Sequence, residues 1–174
     1  RMHQFIRFLH ELYKHDRNYV PSLNLMQKDM LGKKTNPFFQ HGDACYFLAL
    51  TEENKTVGRI AAIFNKVHLD IYNDSTGFFG YFDCINDTHV ADLLLKKAAS
   101  WLLEKGLTKM AGPENLTTND SVGVLTEGFN DPACFLMPYN FPYYKNLLEQ
   151  NGFKKLLTLF SYKTEPATLP VNMF

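Results

Sequence analysis

The sequence predicts a mixed α+β fold: one central sheet, mostly antiparallel, flanked by helices. Three observations predict it. Two apolar runs, 44–50 and 56–65, lie on either side of the polar turn 52–55 and read as an antiparallel hairpin. A strand-like run at 77–84 leads into a helical stretch at about 88–105 and then a short apolar run at 107–112, the order of a βαβ unit with parallel strands. A second helical stretch at 142–152 is followed by another strand-like run at 153–163.

Taken in order, residues 2–15 place Phe5, Phe8, Leu9 and Leu12 on one helical face. Pro21 and Ser22 open a second helix over about 22–31, which stops near Gly32. The stretch "ACYFLAL" is continuously apolar, as a buried strand is. "TVGRIAAIFN" returns beside it, and "YNDST" is a loop before "GFFGYFDC". Gly106 ends the long helix as a C-cap. Residues 113–138 are rich in Gly, Pro, Asn and Asp and read as a long loop with one short strand around 122–126. Loops of this length in a compact domain commonly carry function. Pro142 and Gly152 bracket the last helix, and the tail from Thr164 reads as extended. The 174 residues suit a single domain over 1–174. The chain opens at Arg1-Met2 directly in an amphipathic pattern, so an upstream first strand is expected to be missing.

Charge and cysteine content exclude several functions. Eighteen basic and eighteen acidic residues leave no net charge, which argues against a nucleic-acid partner. No apolar run reaches the roughly 20 residues of a membrane span. Cys45, Cys84 and Cys134 lack metal-ligand spacing, so no metal site is expected, and free thiols suit a cytoplasmic protein. No P-loop, dinucleotide fingerprint or Ser/His/Asp motif is present. A homodimer is compatible with these properties.

Four blocks, "GRIAAIFNKVH", "GFFGYFDC", "GPENLTTND" and "YNFPYYKNLLEQNGF", occur in an order that resembles the GNAT acyltransferase superfamily, in particular a bacterial GNAT-like subgroup of mostly unassigned function. The resemblance implies a splayed parallel strand pair, here 77–84 and 107–112, with acetyl-CoA or another acyl-CoA lying in the opening. It implies an N-acyltransferase that joins the acyl group to a small-molecule or peptide amine by direct attack. Phe82, Asp83, Cys84 and Ile85 would offer backbone groups to the pantetheine arm. Asp87, Thr88, His89 and Val90 would lie where a helix N-terminus receives the pyrophosphate. Asn140 falls close to a family asparagine beside the cofactor.

The residues depart from the family in two places. Asn86 to Ala91 lacks the glycines and the basic residue of the family's phosphate loop, and Asp87 brings a negative charge. Asn86 or Asp87 serves equally well as a helix cap. Leu148 stands where the family has its tyrosine acid; Tyr143 or Tyr144 could replace it, or could pack the helix on the sheet. Glu114 is placed as a general base. Asn115, Thr117, Asn119 and Tyr139 suit a polar substrate, and so does plain turn chemistry for the first three. Arg59 and His68 would pair with a substrate carboxylate; Arg59 serves equally in a salt bridge within the sheet. The alternative to an enzyme is a catalytically degenerate binding module of the same fold, for a small ligand or a protein partner.

Overall fold

A computed structural model of the chain describes residues 1–162. Helices α1 (Met2–Leu12) and α2 (Asn24–Leu31) precede a 3₁₀ turn at Pro37–Gln40. Strands β1 (Gly42–Leu50) and β2 (Thr56–Asn65) form the expected hairpin, with Phe47 opposite Ile60. A short helix α3 (Lys66–Tyr72) follows, then β3 (Thr76–Cys84), α4 (Thr88–Glu104), β4 (Lys109–Ala111) and α5 (Tyr144–Gln150). The sheet order is β1-β2-β3-β4. The first two pairings are antiparallel, and β3 and β4 are parallel across Thr76, Gly77 and Phe78. α4 is the crossover between them.

Strand alternation gives the sheet two apolar faces. Ile60 and Ala62 of β2 join Phe79 and Cys84 of β3 under α4 and α5. Leu94, Leu95, Ala98 and Leu102 supply the α4 side of that core, at the spacing of one helical stripe. Ala61 and Ile63 point the other way, toward Phe38 and Leu116, and α1 and α2 extend that second layer with Phe5, Ile6 and Leu31. Each fully buried Phe, Leu or Ile stabilises the fold by about 1.5–3 kcal/mol.

One irregularity shapes everything near the site. Ala61 pairs with Gly80, but Arg59 pairs with Asp83, so Tyr81 and Phe82 together face Ile60. This two-against-one bulge reverses the side-chain phase along β3. Tyr81 takes a left-handed φ of +48°, a conformation that is strained for a bulky residue. As a result Phe78, Tyr81 and Asp83 face the α1–α2 layer, while Phe79, Phe82 and Cys84 face α4. The bulge sits where the chain after β4 crosses Gly80. A Cβ on Gly80 would strike the Glu114 carbonyl, so the close approach requires glycine there.

Two sequence expectations are corrected. Residues 153–162 form no strand; Leu156, Phe160 and Tyr162 are exposed, and among the described residues no strand pairs with this segment. Lys163 and the tail from Thr164 lie outside the described residues. The short strand expected at 122–126 is reduced to one bridge between Val122 and Glu114. Helix α3, capped by the Asn65 side chain, was not anticipated.

Candidate active site

A cavity of about 540 Å³ opens where β3 and the chain after β4 part. Its floor comes from the far half of β3, which the bulge turns toward it: Tyr81 and Asp83 from that strand and Arg59 from the neighbouring one. α1 contributes Leu9 and α2 contributes Met26, Gln27 and Met30. The loop before α5 supplies the opposite wall, with Leu136, Met137 and Tyr139.

The floor is a buried polar cluster. Arg59 donates from Nε and Nη2 to Asp83 Oδ2, each at 2.8 Å, and from Nη1 to the Phe5 carbonyl at 2.9 Å. Its guanidinium lies 4.9 Å from the centre of the Phe5 ring. Both partners are nearly inaccessible, at 3% and 6% exposure, so the pair depends on its full set of hydrogen bonds. The other oxygen of Asp83 accepts from the Tyr144 hydroxyl at 3.1 Å. Tyr13, just beyond α1, donates in turn to the Tyr144 hydroxyl at 3.2 Å. Tyr13, Tyr144, Asp83 and Arg59 therefore form one continuous hydrogen-bonded chain. Burial, and then the Asp83 charge, hold the protons of Tyr13 and Tyr144 well above the ordinary tyrosine range.

Several other predicted residues line the same cavity: Phe82, Asn115, Tyr139 and Asn140. Each polar side chain among them already holds a hydrogen bond. Asn115 accepts from the Tyr81 backbone N–H at 2.7 Å. Tyr139 donates to Asp16 at 2.7 Å, and Asn140 exchanges hydrogen bonds with the Leu125 backbone. Arg59 is held within the sheet, the structural half of its two sequence readings.

The remaining predicted residues lie elsewhere. Glu114 does not line this cavity; it is buried toward His68 and Asp120, and burial raises its pKa above the ordinary 4.5. His68 pairs with Asp74 and meets Phe78 edge to face. Thr117 bonds Asp120 within its own turn, and Asn119 donates to Thr117 from its backbone. Ile85, Thr88 and His89 are exposed at the start of α4, and Val90 is buried beneath it. Cys84 is buried, and its thiol is pushed up to about 12 by burial.

An acyl-CoA fits this resting structure poorly at three points. The Asp87 side chain caps α4, accepting from the N–H groups of His89 and Val90 at 2.8 and 3.3 Å. Those are the groups a pyrophosphate would use. Tyr143 donates to the Cys84 carbonyl at 2.8 Å, on the strand expected to hold the pantetheine arm. The Tyr81 N–H at the bulge is held by Asn115. Phe141 stacks with Tyr13 and with Tyr143, with ring centroids 4.6 and 5.4 Å apart. A CoA thioester would have to displace Tyr143 and the Asp87 cap.

Sequence reasoning missed Tyr13, Gln27 and Tyr81. Only the spacing of Gln27 to Leu31, one helical turn along α2, hinted that Gln27 faces inward.

No family model matches the chain. It is 35% identical over 158 residues to Protein YghO of Escherichia coli (strain K12), matching 91% of this chain and 40% of that protein. It is 34% identical over 169 residues to Bacterial ceramide synthase of Caulobacter vibrioides, matching 93% of this chain and 42% of that one. The chain thus spans about two fifths of the length of these curated relatives. A solved structure of a proposed acetyl transferase from Pyrococcus furiosus superposes with a TM-score of 0.52 at 14% identity, covering 94% of this chain and 93% of that one. The fold is GNAT-like, with the mixed sheet and parallel pair expected from the sequence. Among the described residues no helix is long and apolar enough to cross a membrane, and no cluster of metal-ligating residues occurs.

Proposed function

We propose that the chain is an N-acyltransferase domain that joins an acyl group from a thioester, acyl-CoA in the simplest case, to the amine of a lipid-like acceptor. The observation that carries this reading is the cavity at the parting of β3 and β4, which combines a hydrogen-bonded polar floor with apolar walls. The relationship to a protein named as a ceramide synthase supports the same class of acceptor, since a ceramide is the amide of a long-chain amine.

The chemistry follows from the floor. The amine nitrogen attacks the thioester carbonyl carbon; the C–N bond forms and the C–S bond breaks. Once it has attacked, the nitrogen carries a positive charge and is strongly acidic, so a weak base suffices. Its proton passes to the Tyr13 oxygen, the Tyr13 proton to Tyr144, and the Tyr144 proton to Asp83, with Arg59 holding the carboxylate in place. The reverse relay, or water at the cavity mouth, supplies the leaving thiolate. Glu114 has no part in this path.

The test is thiol release from acyl-CoAs of increasing chain length, with long-chain amines present. Release that requires both substrates is expected, and Tyr144→Phe should slow it by about 10²-fold or more. Thioester left intact with every amine would overturn the reading.

A binding module is the second reading. It is favoured by the capped α4 terminus and by the Tyr143 bond across the strand opening. Tight amine binding without any thioester consumption would decide for it.

A further inference from the structure

Two buried polar atoms among the described residues have no hydrogen-bond partner: the Gln27 side-chain nitrogen and the Tyr81 hydroxyl. Both residues line the same cavity. Gln27 is only 7% exposed, and it sits on the inner face of α2, one turn before the fully buried Leu31. Leu31 belongs to the small core against which Tyr81 packs. A polar group in such a place is normally satisfied, and two orphans around one cavity point to a missing partner. The Gln27 nitrogen donates and the Tyr81 hydroxyl can donate as well as accept, so a ligand oxygen that accepts from both satisfies the pair. The Tyr81 hydroxyl is where it is because the bulge reverses the phase of β3 and turns this ring to the α1–α2 side.

The mouth of the cavity speaks to the rest of the ligand. Leu23, Met26, Leu136 and Met137 line it and are 74%, 42%, 40% and 47% exposed. Clustered apolar side chains around an opening mark a binding surface for apolar matter. Methionine adapts to flexible chains of varying shape.

We propose that Gln27 and Tyr81 select the acyl acceptor by hydrogen-bonding an oxygen, a hydroxyl or carbonyl, carried close to its amine, while its alkyl chain leaves between α2 and the 133–139 loop. Calling the ligand the acceptor rests on the acyltransferase reading; the oxygen-reading pair does not. An amine without that oxygen leaves both donors buried and unpaired, the arrangement that discriminates most strongly between near-identical ligands.

The experiment compares dodecylamine with its vicinal amino alcohol, aminododecanol, binding to the full chain below their micelle concentrations. Aminododecanol should bind about 100-fold more tightly. Tyr81→Phe and Gln27→Leu should each reduce that preference about tenfold and leave dodecylamine binding unchanged or improved. The same variants should melt at the same temperature as the parent or a few degrees above it, because each removes an unsatisfied buried group. A purely structural role predicts the opposite, lower melting with no change in preference. Equal binding of the two amines, or a preference unchanged in both variants, overturns the proposal. Thiol release is followed in parallel. Equal turnover of both amines would sink the inference and spare the acyltransferase reading. A clear preference in binding with no thiol released would sink that reading and uphold the inference.

Discussion

The two flanks of the far half of β3 are built from the same kinds of residue and are opposite in state. Toward α4, the available polar groups are taken: Asp87 caps the helix, Tyr143 holds the Cys84 carbonyl, and Thr88 bonds Gln150 of α5 at 2.8 Å. Toward α1 and α2, a buried charge pair is satisfied at the floor, but two donors above it are not. The first flank is arranged as a finished protein interior. The second keeps two buried polar atoms, on Gln27 and Tyr81, without a hydrogen-bond partner among the described residues. The difference teaches where to look for a ligand: position within the fold favours the α4 junction, while unsatisfied chemistry favours the cavity.

The largest effect that would break this comparison is loss of the floor. Arg59→Met leaves Asp83 buried without its cation, and urea unfolding should show a loss of about 3–5 kcal/mol. A loss below about 1 kcal/mol would mean that water already reaches the cluster. The next effect sharpens the other flank. Asp87→Ala removes the cap of α4 and should lower stability by about 1 kcal/mol. The same change frees two N–H groups and removes a negative charge, so CoA should bind more tightly, by about threefold or more in a calorimetric titration. Unchanged CoA affinity would show that Asp87 does not compete for this place.

The smallest effect concerns pH. Burial raises the pKa of Glu114 in the folded state above its ordinary 4.5. The folded protein therefore binds this proton more readily than the unfolded one. The stability contributed is present in full below pH 4.5 and is lost as pH rises through the raised value. Glu114→Gln should flatten that part of the stability–pH curve by a fraction of a kcal/mol and leave acyl transfer intact. A collapse of transfer in this variant would return Glu114 to the catalytic role that its sequence position suggested.

Much of the fold was legible because it follows from local pattern. Ile60 and Ala62 alternate with Ala61 and Ile63, and α4 carries its apolar stripe in sequence. The parallel pair was legible because a helix must separate its strands. The bulge was not: "GFFGYFDC" reads as one continuous apolar strand, and nothing in it marks the phase reversal at Tyr81. Yet that reversal is what sets Tyr81 and Asp83 on the cavity side. The strand expected at 153–163 illustrates the opposite failure. "FKKLLTLFSY" has the composition of a strand, but a strand exists only when an edge receives it, and residues 153–162 meet none among the described residues. The α4 junction was read as both cofactor site and helix cap, and Asp87 takes the capping role. Tyr143 and Tyr144 illustrate a limit of spacing: adjacent in sequence, they bond different strand atoms, the Cys84 carbonyl and the Asp83 carboxylate.

An aliphatic amine is expected to enter between α2 and the 133–139 loop and to reach the Asp83 floor. Photolabelling with an alkylamine that carries a diazirine at the far end of its chain tests it most directly, with the adducts mapped by mass spectrometry. Adducts are expected on residues 23–30 and 133–139, reduced by excess aminododecanol, with residues 85–90 unmodified. Adducts concentrated at 85–90, or spread evenly over the surface, would contradict it.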